Sequence, residues 1–216
     1  MSKLALGNNE FINYEFHENP RRNTIVFSNS LGSDLSMWDP QVEYFKDNYQ
    51  IICYDKRGHG KSSPIQGPYT FDMLENDVIS IMDEIGIDKA HFVGLSMGGM
   101  TSLGLALKHS NRFDKLVCCA ARADMPPPAI EAWDQRMAVV EDKGTQGVVQ
   151  GSLERWFSDK FRNDVANNHI LEKAEEMIKS TSTNGYIGSC NAIKGLDYLR
   201  ELGKIKKDFL YISGEN

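Results

Sequence analysis

Residues 90–100 read Ala90-His91-Phe92-Val93-Gly94-Leu95-Ser96-Met97-Gly98-Gly99-Met100, an apolar run joined to helix-forming sequence through the pattern Gly-x-Ser-x-Gly. This pattern is typical of a sharp strand-to-helix turn that holds a serine hydroxyl above the edge of a sheet. Gly94 and Gly98 are the small residues that let the strand and the helix pass without collision. We therefore predict that Ser96 is a catalytic nucleophile. The alternative is a glycine-rich turn in which the serine is incidental.

Short apolar runs and helical patterns alternate along the first half of the chain. Strands are predicted at residues 11–16, Thr24–Ser28, Gln50–Tyr54, before Ser96, and at residues 115–120. A helix is predicted from Thr70, a good N-cap residue, to Gly86, a good C-terminal stop. Such alternation favours parallel strands with right-handed crossovers. The predicted fold class is α/β, with a doubly wound, mostly parallel sheet.

The alternation stops at Met125-Pro126-Pro127-Pro128, because neither a helix interior nor a central strand tolerates consecutive prolines. From there to residue 202 only helical patterns follow. We interpret residues 1–124 as the first part of the core and residues 125–202 as an inserted helical lid over the carboxyl edge of the sheet. Residues 203–216 return to the core, with a seventh strand at 209–212.

Composition excludes several function classes. The 216 residues carry a net charge of −6, which argues against a nucleic-acid partner or attraction to an anionic membrane. No stretch has the length of a membrane span or the pattern of a signal peptide, so we expect a cytoplasmic protein. The four cysteines, Cys53, Cys118, Cys119 and Cys190, are spaced for neither disulfides nor zinc, and we expect reduced thiols.

Several segments together resemble the α/β-hydrolase family and, within it, the 3-oxoadipate enol-lactonases. They are Ser-Asn-Ser-Leu-Gly-Ser-Asp at 28–34, Tyr-Asp-Lys-Arg-Gly-His-Gly at 54–60, Gly94 to Gly99, Ala-Ala-Arg at 120–122 and Leu-Glu-Arg-Trp-Phe at 153–157. The Asn-Ser-Leu-Gly loop is the most discriminating of these segments. The resemblance covers nearly the whole chain from about residue 10, and it implies an α/β-hydrolase fold with an inserted helical lid.

The resemblance also implies a mechanism and a set of site residues. Ser96 would attack a lactone carbonyl, and the backbone N–H groups of Leu31 and Met97 would receive the oxyanion. No metal and no organic cofactor is needed. The substrate would carry a carboxylate, for which Arg122 at the lid entrance is the candidate cation. Trp133 is either a substrate contact or part of the lid core.

In the fold's chain order of serine, acid and histidine, the acid follows the strand after the lid and the histidine follows the last strand. The resemblance places the acid one residue beyond Asn216, so we expect the chain to end before two of the three catalytic groups. Glu215 lies near the acid position without a histidine to orient, and His59 is a loop residue that is structural in related hydrolases. A chain that ends before the catalytic acid and histidine is expected to be nearly inactive and poorly stable.

Two other readings stay open. One is a general carboxylesterase, or a cofactor-free perhydrolase, on the same scaffold. The other is a non-catalytic protein, either a ligand-binding relative or an inactive product. In each enzyme hypothesis the binding partner is a small-molecule substrate, either a lactone or an ester. The sequence does not predict an oligomeric state.

Overall fold

A computed structural model describes residues 2–214 and shows seven strands in a single sheet. The strands are β1 (Ser2–Gly7), β2 (Glu10–His17), β3 (Thr24–Ser28), β4 (Gln50–Tyr54), β5 (Ala90–Leu95), β6 (Phe113–Cys119) and β7 (Asp208–Ile212). Their order across the sheet is β1-β2-β4-β3-β5-β6-β7. The pairs β1–β2 and β2–β4 are antiparallel, and the other four pairs are parallel. The predicted α/β class with a mostly parallel sheet is therefore confirmed.

Helices cover both faces of this sheet. The helices of the first half are α1 (Asp39–Phe45), α2 (Phe71–Ile85) and α3 (Met97–Lys108). One buried cluster joins α2 and α3 to one face of the sheet, through residues such as Val78 and Leu105. A second cluster, which includes Phe27 and Trp38, lies on the opposite face. This two-sided burial explains why β3 is buried along its whole length.

Local signals set the helix boundaries. The Thr70 hydroxyl accepts a hydrogen bond from the backbone N–H of Met73 at 3.2 Å, and Gly86 ends α2 in the left-handed conformation. Strand β1 was not predicted from the sequence. It forms an antiparallel hairpin with β2 through a turn in which Asn8 and Asn9 both have positive φ, at 50° and 62°.

The segment between β6 and β7 is helical and will be called the helical segment. It contains α4 (Pro127–Lys143), α5 (Val149–Trp156), α6 (Asp159–Arg162), α7 (Asn168–Ser180) and α8 (Thr183–Lys194). Within it, α4 packs against α8 and α5 packs against α7. The division of the chain into core and lid at residues 124 and 202 stays a prediction.

Helix α8 lies directly against the loop that follows β4. A Cβ atom added at Gly58 would lie 2.3 Å from the Cα of Gly185, and one added at Gly67 would lie 2.8 Å from the Cα of Gly188. The backbone N–H of Ser182 donates to the Gly58 oxygen at 2.9 Å. The two backbones therefore touch with no side chain between them.

Candidate active site

Ser96 stands at the junction of β5 and α3 in a strained backbone conformation. Its φ is 52° and its ψ is −110°, a combination that non-glycine residues rarely adopt. A Cβ atom at Gly98 would lie 2.1 Å from the backbone oxygen of Ser28, and one at Gly94 would lie 2.1 Å from the oxygen of Gly98. Only glycine fits at either place. The turn therefore has the steric design that the sequence pattern predicts.

The position of Ser96 places it next to a cluster of backbone donors. Helix α3 begins at Met97, so the first N–H groups of the helix have no partner within it. The partial positive charge of a helix N-terminus favours negative charge at this point. Met97 is fully buried, whereas Ser96 is partly exposed. This arrangement suits a serine that reacts with a molecule entering from solvent.

The loop after β3 is held in place by its own polar side chains. The Asn29 side-chain amide donates to the backbone oxygen of Ser33 at 2.6 Å, and the hydroxyls of Ser30 and Ser33 lie 3.0 Å apart. Gly32 has a φ of 76°, which glycine adopts without strain. Leu31 is buried in the same cluster as Met97. The two residues predicted to form an oxyanion hole thus share one core, and their role stays a prediction.

Lys56 contacts this loop from the interior of the protein. Its side chain is 1% exposed, and its Nζ donates a short hydrogen bond to the backbone oxygen of Asn29. Burial lowers the pKa of Lys56 to about 7, although the negative charge of Asp55 opposes this change. The Asp55 carboxylate is itself buried and accepts hydrogen bonds from the backbone N–H groups of Leu35 and Lys61 at 2.7 and 2.9 Å. Sequence reasoning assigned no role to Lys56, because nothing in the residue pattern indicates that this lysine is buried.

Residues of the helical segment lie over the same loop. A Cβ atom at Gly32 would lie 3.5 Å from Tyr186 Cε2, 3.6 Å from Ile178 Cγ1 and 4.0 Å from Trp156 Cη2. These contacts place α8, α7 and α5 beside the loop that carries Leu31. The helical segment therefore packs against the loop that carries Leu31.

The two residues predicted to bind substrate lie in different settings. Arg122 is exposed and engages Asp124, with Nη2 at 3.0 Å from Oδ1 and Nε at 2.6 Å from the backbone oxygen. Trp133 is half-buried on α4, and the guanidinium of Arg136 lies 4.6 Å from its ring centroid. Trp133 packs against the cluster that contains Leu31 and Met97. A role for either residue in substrate binding stays a prediction.

No histidine forms a hydrogen bond with Ser96 in the part of the chain that the structure describes. His59 is fully buried, and its Nδ1 lies 2.9 Å from the backbone oxygen of Arg57. Burial and, to a smaller extent, the charge of Lys56 lower the pKa of His59 to about 4, which favours the neutral ring. His91 lies on β5 with its ring against Tyr49. Glu215, the residue near the expected acid position, lies outside the described residues.

Residues 2–214 lack the features of two other classes of protein. They contain no group of three or more histidine, cysteine or acidic side chains arranged to hold a metal ion. None of their helices is long and apolar enough to cross a bilayer. All four cysteines are free thiols, and burial raises the pKa of each of them.

Comparison with known proteins places the chain among hydrolases. A family described as alpha/beta hydrolase fold matches residues 23–216. The chain is 37% identical to 3-oxoadipate enol-lactonase 2 of Acinetobacter baylyi over 203 residues, which cover 94% of this chain and 74% of that protein. It is 38% identical to 3-oxoadipate enol-lactonase 1 of the same species, over 88% of this chain and 70% of that one. An enol-lactonase structure from Burkholderia xenovorans LB400 matches 97% of this chain and 80% of its own, with a TM-score of 0.91 and 34% identity.

Proposed function

Because this chain belongs to the alpha/beta hydrolase family, we propose that it is a serine hydrolase that opens the ring of a small enol-lactone carrying a carboxylate. The product of such a reaction on 3-oxoadipate enol-lactone is 3-oxoadipate. The observation that carries the proposal is the strained backbone of Ser96, which lies between two glycines whose positions leave no room for a side chain. The names of the similar enol-lactonases support the choice of substrate.

The proposed reaction runs through an acyl-enzyme. Ser96 Oγ attacks the lactone carbonyl carbon while a histidine base takes its proton, and an acid orients that histidine. The family order places both partners after β7. The backbone N–H groups of Met97 and Leu31 bind the oxyanion as it forms, and loss of one such donor costs about 10²–10³ in rate in a known hydrolase.

Collapse of the tetrahedral intermediate breaks the ring C–O bond and releases an enolate, which takes up a proton and becomes a ketone. Water then attacks the acyl-enzyme, and the carboxylic acid leaves while Ser96 regains its proton. In this scheme Arg122 and Trp133 are the proposed contacts for the substrate's carboxylate end. No step requires a metal or an organic cofactor. We also propose that the reaction takes place in the cytoplasm.

A fluorophosphonate probe tests the nucleophile. The protein is purified from its native host, its intact mass is recorded, and labelling is compared with that of Ser96→Ala. We expect labelling of the parent at Ser96 and none in the variant, because an unactivated serine reacts slowly with this probe. The control is Ser110→Ala, which removes a hydroxyl from a turn at the far end of α3. Equal labelling of the parent and of Ser96→Ala would contradict the proposal, and no labelling of the parent would support a non-catalytic protein.

Turnover tests the substrate class on the same preparation. We expect a much higher kcat/KM for the anionic enol-lactone than for a neutral p-nitrophenyl ester of similar size. Hydrolysis of the neutral ester alone would identify a general carboxylesterase. Peroxide-dependent formation of a peracid would identify a perhydrolase. Either of these results would overturn the lactonase proposal while leaving Ser96 as the nucleophile.

A further inference from the structure

The segment from Asn29 to Leu35, which we call the β3 loop, is held at both ends by two consecutive residues that follow β4. Lys56 Nζ donates to the backbone oxygen of Asn29, at the start of the loop. Asp55 Oδ1 accepts a hydrogen bond from the backbone N–H of Leu35, at the end of the loop, at 2.7 Å. Leu31 lies between these two contacts. Asp55 and Lys56 therefore restrain the β3 loop on both sides of Leu31.

The side chain of Asn29 extends the contact with Lys56 across the β3 loop. Lys56 Nζ lies 3.4 Å from Asn29 Oδ1, and the amide nitrogen of Asn29 donates to the backbone oxygen of Ser33 at 2.6 Å. An ammonium group offers only donors, so the amide oxygen faces Lys56 and the amide N–H groups remain for Ser33. Asn29 and Ser33 stand two residues before and two residues after Leu31. A change at Lys56 therefore acts on both residues that flank Leu31.

The stability of the fold alone does not explain a buried amine at this position. Lys56 is almost fully buried, and Asn29 has no exposed surface. Burial of an amine disfavours its charged form, and an apolar side chain of the same length would fill the same space without this penalty. A donor at position 56 is therefore explained by the backbone oxygen that it holds.

We propose that Lys56, together with Asp55, is a positioning residue for the reaction, because it holds the backbone N–H of Leu31 at the point where the oxyanion forms. This inference rests on the proposed function, in which Ser96 attacks a carbonyl and Leu31 is one of two oxyanion donors. Lys56 acts through Asn29 and not by contact with the substrate. An oxyanion donor acts once negative charge develops, so displacement of Leu31 should lower kcat and leave KM nearly unchanged.

The strength of this contact depends on the charge of Lys56. Burial lowers the pKa of Lys56 to about 7, and the negative charge of Asp55 opposes this change. A second carboxyl group, that of Asp34 on the β3 loop, acts on Asp55. The pKa of the buried His59 is about 4, and burial raises the pKa of Tyr54, whose ring centroid lies 5.5 Å from Lys56 Nζ. Among Lys56, His59 and Tyr54, only Lys56 therefore titrates near pH 7.

Steady-state kinetics with the enol-lactone test the inference in Lys56→Met, which keeps the length of the side chain and removes the donor. We expect kcat to fall about tenfold at pH 6, because displacing an oxyanion donor costs less than the factor of about 10²–10³ for removing one. KM should change little. A hydrogen bond from a charged donor is about twice as strong as one from a neutral donor, so the ratio of parent kcat to variant kcat should fall to about threefold at pH 8.5. Taking this ratio removes the titration of the catalytic histidine, which both proteins share. Lys89→Met, at an exposed position, should give a ratio near one at both pH values.

Nitrogen NMR measures the same contact without turnover. The amide nitrogen of Ser30 belongs to the peptide group whose oxygen accepts the hydrogen bond from Lys56, so its chemical shift reports the charge of Lys56. We expect the nitrogen shifts of Ser30 and Leu31 to change with pH around a midpoint near 7 in the parent. In Lys56→Met they should stay constant over this range. If that variant fails to fold, as shown by circular dichroism, Lys56→Gln keeps a polar side chain without a titrating group and should also give constant shifts.

The inference is overturned if the nitrogen shift of Leu31 depends on pH in the same way in the parent and in the folded variant. It is also overturned if the folded variant has the kcat of the parent, in which case the lactonase assignment is retained. A parent that does not open the lactone loses that assignment, and the kinetic comparison is then made with the p-nitrophenyl ester, whose hydrolysis also needs an oxyanion donor. If the parent hydrolyses neither compound, the proposed function fails, and the NMR titration alone decides whether Lys56 sets the position of Leu31.

Discussion

Lys56→Met should change how the stability of the protein depends on pH. In the folded protein the pKa of Lys56 is about 7, because burial disfavours the charged amine, whereas its ordinary value is near 10.5. Between these two values the unfolded chain binds a proton that the folded chain does not bind. The free energy of unfolding therefore rises with pH across this window and is lowest, as far as Lys56 contributes, below pH 7.

The size of the effect follows from the same numbers. Each pKa unit corresponds to about 1.36 kcal/mol, so the full contribution of Lys56 is on the order of 5 kcal/mol, of which about 1.5 kcal/mol falls between pH 7 and 8.5. Methionine has a similar length and no titrating group. The free energy of unfolding of Lys56→Met, relative to the parent, should therefore fall by about 1.5 kcal/mol from pH 7 to 8.5.

Urea denaturation followed by tryptophan fluorescence measures this difference at constant ionic strength. Subtracting the variant from the parent at each pH removes the contribution of groups other than Lys56, such as the buried thiol of Cys53. Lys89→Met is the matched control, because Lys89 is exposed and should give the same difference at both pH values. If the free energy of unfolding of the parent minus that of Lys56→Met does not change between pH 7 and 8.5, the conclusion that Lys56 is buried as a neutral amine above pH 7 is wrong.

Two further substitutions test the packing around the site. Gly98→Ala should lower the free energy of unfolding by about 3 kcal/mol or more and abolish fluorophosphonate labelling, since its Cβ would lie 2.1 Å from a backbone oxygen of β3. Gly203→Ala, which meets nothing within 4 Å, is the control for thermal unfolding. Arg57→Gln should cost about 3–5 kcal/mol in urea denaturation, because it leaves the carboxylate of Asp77 buried without its partner. The matched loss of the exposed pair in Arg122→Gln should cost less than about 1 kcal/mol, and equal costs for the two variants would contradict this difference.

Local patterns in the sequence were sufficient to predict the elements that surround the serine. Gly94 is required by a backbone contact within the turn, and Gly98 is required by the close approach of α3 to the end of β3. Thr70 and Gly86 bound α2 because their side-chain and backbone preferences act within one helical turn. Constraints that act within a few residues along the chain can be recognised directly in the sequence.

Strand β1 was missed although Leu4 and Leu6 alternate with exposed residues, because six residues with a single fully buried position give a weak signal. Of its six residues, only Leu4 is buried. The Gly7-Asn8-Asn9 turn was the available signal, since asparagine tolerates the positive φ that a tight hairpin requires. For this edge strand, the residues of the turn were a better predictor of the hairpin than the residues of the strand.

The charged residues around the site could not be assigned from the sequence, because their settings depend on contacts between distant segments. Arg122 and Arg136 are both single arginines near the beginning of the helical segment. Only the structure shows that the first forms an ion pair with Asp124 and that the second lies over the ring of Trp133. The burial of Lys56 likewise arises from the approach of the loop that follows β3.

The contact between α8 and the loop after β4 limits how the sequence can change. Gly58 faces Gly185, and Gly67 faces Gly188, with backbone atoms closer than any side chain would allow. A substitution at Gly58, Gly67 or Gly185 must push the helix away from this loop and, with it, Tyr186, whereas one at Gly188 would meet the ring of Tyr69. Neither member of a pair can be enlarged without strain, because its partner is already glycine and cannot be made smaller. Changes in the shape of the helical segment should therefore arise through substitutions away from these glycines, while α8 stays fixed in place.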